Sequence, residues 1–111
     1  MVWLFKPASR QPRGGTAPTN GNPDYPARTV GGVSGTWDVW VDNSSDPPCI
    51  SYVSGTPLPS LSFDLNRFIQ DSVANNYGIT SSMYLSIIFA GLEIWSAGNG
   101  LQVKQFCAQV N

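Results

Sequence analysis

The chain contains a single glutamate, Glu93, in the least polar segment of its 111 residues. Gly91 and Leu92 precede it, and Ile94 and Trp95 follow it. A carboxyl group among apolar and aromatic neighbours is costly to ionise, and the raised pKa that results suits a general acid that protonates a leaving oxygen. Position alone also allows a plainer interpretation, in which Glu93 ends a buried strand and points to water.

The other residue types exclude several chemistries. The chain has no histidine, so it can form neither a histidine-based catalytic triad nor an imidazole-ligated metal site. Its two cysteines, Cys49 and Cys107, are too few for a structural zinc site. They can form a disulfide in an oxidising compartment or act as small buried apolar residues, and the sequence leaves both open. Hydrolytic chemistry would therefore use carboxylates, and no metal or other cofactor is expected.

Charge and hydropathy narrow the range of partners. The net charge is -1, and the six Lys and Arg residues are scattered rather than gathered into a basic face with interleaved aromatics. No apolar run approaches the roughly 20 residues of a membrane span, and the apolar start before Lys6 is too short for a signal-peptide core. Neither nucleic acid nor a membrane is expected as a partner.

The elements that must position these residues are mostly β-strands. The composition, 41% apolar and rich in glycine, proline and aromatic residues, is typical of a turn-rich β domain. Residues 36–42 alternate in type and predict a half-exposed strand with Trp37 facing the core, and residues 49–53 predict its hairpin partner. Residues 83–95 are apolar at almost every position, which predicts a central strand covered on both faces. Residues 101–110 predict a last strand.

Two segments depart from this strand pattern. The first has apolar residues at helical spacing, an Asp at the start and a Gly beyond the end, which predicts one helix near residues 64–76 on the outer face of a sheet. The apolar stripe consists of Leu65, Phe68, Ile69 and Val73. The second, from about residue 6 to 35, is dominated by Pro, Gly, Arg, Thr and Asn, and it predicts a long surface loop. The chain is expected to hold no repeat and no second domain.

Four blocks of the sequence, taken in order, resemble glycoside hydrolase family 12. They are GVSGTWDVW at 32–40, ISYV at 50–53, FDLNRFI at 63–69 and GLEIWSAG at 91–98. The last block is similar to the turn that carries the family's acid/base, and it places that role on Glu93. The opening MVW resembles the end of the family's Glu-x-Met-x-Trp strand, with Met1 and Trp3 on its Met and Trp. The nucleophile Glu would then stand two residues before Met1, outside the chain.

The resemblance implies a fold and an activity. Residues 1–111 would be the C-terminal half of a β-jelly-roll sandwich of antiparallel strands, of the concanavalin-like type. The family hydrolyses internal β-1,4-glucosidic bonds of cellulose- or xyloglucan-type glucans by a retaining mechanism with two carboxylates. Glu93 would supply the acid/base, and this chain alone, without the nucleophile, is expected to be inactive.

Substrate binding would use aromatic faces, because sugar rings stack their C–H groups on them. The expected substrate-binding residues are Trp3, Trp95, Trp40 and Met1, with Trp3 and Trp95 beside the two catalytic positions. Asp38 is the one nearby-looking substitute for the nucleophile, and a structural strand carboxylate is the plainer interpretation of it.

Other functions stay open beside hydrolysis. The chain could be a non-catalytic truncated paralogue that binds carbohydrate or acts as a decoy, or a related jelly-roll lectin or family 11 xylanase, although the context of residues 93–96 disfavours the last two. The expected partners are a β-glucan, the missing N-terminal half, or a second copy paired through exposed strand edges. The family implies an extracellular location.

Overall fold

A computed structural model describes residues 1–15, 21–44, 46–94 and 98–110 of the chain. These residues form two units, Met1–Ser81 and Ser82–Asn111. The regular secondary structure of the described residues lies in the first unit. No helix in the described ranges is long and apolar enough to cross a membrane, and the one α-helix has 10 residues.

The first unit is built on a four-stranded sheet. The strands are β1 Val2–Trp3, β2 Tyr25–Arg28, β3 Trp37–Asp42 and β4 Cys49–Ser54, in the order β1-β4-β3-β2. β3 and β4 form an antiparallel pair over their whole length, from Trp37 opposite Ser54 to Asp42 opposite Cys49. β2 pairs with β3 in the antiparallel sense, and β1 pairs with β4 in the parallel sense.

Two features of this sheet correct the sequence-based expectations. The sheet is mixed rather than antiparallel, because Val2 pairs in parallel with Tyr52. The segment predicted as one loop from about residue 6 to 35 contains β2, whose Tyr25 lies opposite Val39. Both strands are short edge strands, and neither has an alternating pattern long enough to be recognised without its neighbour.

The predicted helix is confirmed as α1, Leu65–Ala74. Asp64 caps it, since its carboxylate accepts the backbone N–H of Asn66 at 3.0 Å. Phe68 is buried at the centre of the helix contact, with its ring 5.0 Å from that of Trp37 and 4.9 Å from that of Tyr52. The helix therefore packs on one face of the sheet, and Phe68 is the member of the expected stripe that lies in the core, while Leu65, Ile69 and Val73 are half-buried.

Strand β3 is covered on both faces near its middle. Trp37 and Val39 are buried on the face that meets α1, as the alternation predicts. Asp38, Trp40 and Asp42 lie on the opposite face, which we call the far face. Trp40 was expected to be accessible there, yet it is only 1% exposed. The expectation of a half-exposed strand is therefore wrong at Trp40.

The second unit has no helix or strand among its described residues. Tyr84 is 96% exposed, and Phe89 and Val110 are nearly as open. The predicted central strand at 83–95 is therefore absent over 83–94, and residues 101–110 form no strand either. An apolar run supplies side chains for a core, but a strand also needs neighbouring strands for its N–H and C=O groups, and the described residues pair none with it.

Candidate functional site

The far face gathers three of the predicted substrate-binding residues in the first unit. Trp3 lies opposite Val53, which lies opposite Asp38 on the next strand. Trp40 lies opposite Ser51. Met1 lies beside Ser51 as well, because its carbonyl accepts the N–H of Tyr52 at 2.9 Å. Met1, Trp3 and Trp40 therefore share one face, with β4 between β1 and β3.

One accessible part of the far face is its β1 edge. The middle of the face is closed, since Ser51 and Val53 are buried. Met1 is 55% exposed and Trp3 is half-buried. The amino group of Met1 donates to the carbonyl of Ile50, and burial of this group lowers its pKa, although the nearby Cys49 acts in the opposite direction. An aromatic ring and a thioether are thus available at this edge.

The β3 part of the far face around Trp40 is covered by residues 6–15, which we call the strap. Lys6 Nζ stands 5.8 Å from the centre of the Trp40 ring. Gly15 passes the edge of that ring so closely that a Cβ there would lie 3.5 Å from Trp40 Cδ1. Pro12 of the strap is buried. The indole Nε1 of Trp40 is buried and has no hydrogen-bond partner among the described residues.

Two carboxylates attach the strap to the end of β3. Asp42 forms an ion pair with Arg13, with 2.7 Å between Oδ2 and Nη2. Asp24 Oδ2 accepts two backbone N–H groups, from Gly15 at 2.9 Å and from Val41 at 2.8 Å. The side chain of Asp24 therefore joins the strap to the strand by bridging their backbones.

Gly14 allows the strap to come this close. Its φ is +103°, and a Cβ there would lie 2.6 Å from the carbonyl oxygen of Val41. Both the conformation and the contact exclude a side chain. A cavity of about 380 Å³ opens beside this contact, lined in part by Gln11, Arg13 and Ser44, and none of the predicted site residues lines it.

The carboxylates of β3 have structural partners. Asp38 accepts the backbone N–H of Ala27 at 2.9 Å, which supports the plainer interpretation of this residue. Asp42 accepts the hydroxyl and the N–H of Ser44, and these bonds hold the pKa of its carboxyl below the ordinary 3.8, with a smaller effect from Arg13. Within the described ranges, no group of three or more potential ligands could hold a metal ion.

Glu93 lies in the second unit with its side chain exposed, between Leu92 and Ile94, which are exposed too. The apolar, covered surroundings expected for it are thus absent in the described part of that unit. Trp95 lies outside the described residues. Both cysteines are free thiols, Cys49 half-buried and Cys107 exposed.

The sequence did not predict the strap or the two side chains, Arg13 and Asp24, that attach it to β3. Arg13, Gly14 and Asp24 fell inside the predicted loop, which carries no periodic pattern. The adjacent glycines Gly14 and Gly15 were the available signal, since paired glycines permit a close backbone approach. The two glycines do not indicate that β3 is the strand they approach.

Comparison with known proteins finds the same family that the four sequence blocks resemble. The profile of Glycosyl hydrolase family 12 matches residues 1–111. The chain is 37% identical over 111 residues to the probable cellulase Cel12b of Mycobacterium tuberculosis, covering 100% of this chain and 66% of that protein. It is 29% identical over 111 residues to the xyloglucan-specific endo-beta-1,4-glucanase A of Aspergillus aculeatus. It is 31% identical over 116 residues to endoglucanase A of Aspergillus kawachii.

The match covers nearly the whole of this chain and part of each relative. In the two Aspergillus proteins the chain covers 43% and 44% of the relative's length, and 99% and 100% of its own. No solved structure matches the chain significantly.

Proposed function

The chain belongs to glycosyl hydrolase family 12, and from this membership we propose that it serves in hydrolysis of internal β-1,4-glucosidic bonds in cellulose- or xyloglucan-type β-glucans. The observation that carries the proposal is the family match over residues 1–111, with relatives named as a cellulase and as endoglucanases. The proposal includes the jelly-roll sandwich of the family, of which the four-stranded sheet and α1 would be a part. It also includes an extracellular location.

In the proposed mechanism Glu93 is the general acid/base. It would protonate the departing glycosidic oxygen and then deprotonate the water that releases the sugar. A second carboxylate, about 5 Å away, would attack the anomeric carbon and form the covalent intermediate. The resemblance of the opening MVW to the family's nucleophile strand assigns that carboxylate to a residue two positions before Met1.

Substrate binding is proposed for the β1 edge of the far face and for Trp95. Trp3 offers a half-buried indole, and Met1, 55% exposed, lies next to it on the same edge. A glucose ring stacked on the Trp3 indole would bring its C–H groups against the ring face. Trp40, the other expected binding residue on this face, is buried.

The acid/base role can be tested in a chimera that carries, before Met1, the preceding segment of the mycobacterial relative. We expect the chimera to release reducing sugars from soluble β-1,4-glucan and Glu93→Gln to abolish this release. With an aryl glycoside whose leaving group needs no acid, azide should restore turnover of Glu93→Gln and yield a β-glycosyl azide, because azide needs no general base. A merely structural glutamate would give no such rescue.

Asp38→Asn is the matched control, because it removes one carboxylate charge from the described sheet and keeps the shape of the side chain. It should leave hydrolysis within a few-fold of the parent chimera, since Asp38 accepts a backbone N–H that the amide oxygen can also accept. Full hydrolysis in Glu93→Gln, or its loss in Asp38→Asn with azide rescue, would overturn the assignment. Binding of glucan by a chimera that never hydrolyses it would favour the non-catalytic alternative.

A further inference from the structure

The two tryptophans of the far face differ in their exposure, and hydrolysis of a glucan does not by itself explain this difference. At the β1 edge Met1 is 55% exposed and Trp3 is half-buried. Two strands away, Trp40 is a second indole on the same face, yet it is only 1% exposed. β1 and β3 are separated by two strand spacings, about 10 Å, which a short oligosaccharide can span. A glucan that starts on Trp3 and runs across the strands would therefore meet the strap at Trp40.

The strap occupies the place that a sugar ring would need on Trp40. The Lys6 ammonium stands 5.8 Å from the centre of the indole, within the range of a cation–π contact. Gly15 crosses the ring edge near Nε1, which lies buried without a partner among the described residues. A buried indole N–H normally finds an acceptor, and a sugar hydroxyl is one that could reach it if the strap moved away.

The attachment of the strap depends on few contacts. In the Arg13–Asp42 pair the Arg13 side chain is 65% exposed and that of Asp42 is 11% exposed, and an ion pair with one partner in water adds little to stability. The firmer contact is Asp24, whose one carboxylate oxygen takes the N–H groups of Gly15 and Val41. Gly14 adds no side-chain contact and only permits the approach. Arg13 and Asp24 can thus be removed without touching the core.

We propose that the strap sets the length of glucan that the far face accepts, with Arg13 and Asp24 as the specificity-determining residues that hold it over Trp40. This inference rests on the proposed function. With the strap attached, a glucan is held at Met1 and Trp3 and ends before Trp40. With the strap detached, Trp40 adds one stacking platform and longer chains bind better.

The first arm of the test measures whether the strap covers Trp40. The full chain is studied at a concentration low enough to remain monomeric, and the acrylamide quenching attributable to Trp40 is obtained by comparing each protein with its Trp40→Phe counterpart. We expect little quenching of Trp40 in the parent and a several-fold increase in Arg13→Ala/Asp24→Ala. The matched control is Arg67→Ala, which removes a cation from α1 and should leave Trp40 protected. Unchanged protection in the double variant would overturn the proposal.

The second arm measures sugar binding by calorimetry with cellobiose and cellohexaose. The preference of the double variant for cellohexaose over cellobiose should exceed that of the parent by about three- to tenfold, the range expected for one aromatic stacking contact. Trp40→Phe in the same background should reduce this gain. Raised quenching with an unchanged length preference would overturn the proposal, because the strap would then cover a residue with no part in sugar binding.

Two results separate this inference from the function on which it rests. If the parent binds no β-glucan oligosaccharide and neither do the variants, the glucan binding proposed for the β1 edge fails, and the length-setting role fails with it. The quenching arm still reports whether the strap opens. If the parent binds sugar and the variants show no added length preference, only the inference fails. Should Asp24→Ala not fold, Arg13→Ala combined with Gly14→Ala opens the same contact through the clash with Val41.

Discussion

Tyr52 is the residue that joins the sheet to the helix most directly. Its hydroxyl donates to Asp71 Oδ2 at 2.7 Å and lies 2.8 Å from Ser72 Oγ, and both partners stand on α1. Burial raises the pKa of the Tyr52 phenol far above its ordinary 10.0, with Asp71 adding to the effect. The phenol therefore stays protonated and remains a donor at every pH at which the protein would be studied.

We expect Tyr52→Phe to lower the free energy of unfolding by about 1–2 kcal/mol, because the half-buried carboxylate and the buried Ser72 hydroxyl each lose a partner. Urea denaturation followed by circular dichroism measures this. Tyr25→Phe is the matched control, since Tyr25 is 40% exposed at the sheet edge, and its change should stay within about 0.5 kcal/mol. Equal losses in the two variants would show that the link through Asp71 and Ser72 contributes nothing.

Asp42, which pairs with Arg13 of the strap, makes the stability of the folded chain depend on pH in the acid range. Its pKa is lowered in the folded chain, mainly by Ser44, so the unfolded chain binds more protons as the pH falls below the ordinary value of 3.8. The contribution of Asp42 to stability is therefore present above that pH and is lost as the pH falls through the folded pKa. We expect Asp42→Asn to flatten the acid limb of a plot of unfolding midpoint against pH. Ser44→Ala should flatten it partly, and an unchanged limb in both variants would contradict the prediction.

Helix α1 holds the sheet together from one side through a single large side chain. Phe68 contacts the rings of Trp37 and Tyr52, and the exposed Phe63 packs on its other edge at 5.4 Å. Phe68→Ala should lower the free energy of unfolding by about 3–5 kcal/mol, because it leaves a cavity among aromatic rings. Gln70→Ala, on the exposed side of α1, should change it by less than about 0.5 kcal/mol. Thermal denaturation of the two variants distinguishes the contributions, and similar midpoints would mean that α1 packs differently.

The elements that the sequence predicts correctly are those whose signal is local. The spacing of Leu65, Phe68 and Val73 is a property of α1 alone, and the alternation of residues 36–42 is a property of β3 alone. The parallel pairing of Val2 with Tyr52 is not encoded in either strand, so its direction could not be inferred. The same holds for Trp40, whose burial depends on a strap that lies more than twenty residues earlier in the chain.

The candidate site was predictable in part for the same reason. The alternation along β3 and the resemblance of the opening MVW placed Met1, Trp3 and Trp40 in strands, and the pairing of those strands brings them to one face. Glu93 was expected within a covered strand because its neighbours are apolar. Apolar character does not itself provide partner strands, and the described residues around Glu93 remain exposed.

At the scale of the whole chain, the second unit presents an unusual amount of apolar surface. Ile87, Phe89 and Ile94 are 67%, 78% and 61% exposed, and the described residues around them form no strand. Exposed, β-prone segments with few charges tend to pair with other chains through their unpaired backbone groups. This unit therefore makes self-association the expected behaviour of the chain.

We expect the 111-residue chain to form dimers or larger species in size-exclusion chromatography and to bind the dye ANS. A chain that ends at Ser81 is the matched comparison, because it retains the sheet and α1 and lacks residues 82–111. It should elute as a monomer with little ANS binding. A monodisperse, cooperatively melting full chain that binds no ANS would contradict this prediction, and association of both forms alike would place its cause in the first unit.

The parallel pairing of β1 with β4 also sets the order in which the first unit can fold. The amino group of Met1 and the carbonyl of Ile50 are 49 positions apart in the chain. β3 ends at Asp42 and β4 begins at Cys49, so this hairpin closes with little loss of chain entropy, whereas β1 must close a far longer loop. β1 is thus expected to dock late in folding and to open early in native-state fluctuations. The accessible edge with Met1 and Trp3 is then the last part of the far face to form, and its occupancy by a ligand would slow hydrogen exchange at Tyr52 before it changes exchange in α1.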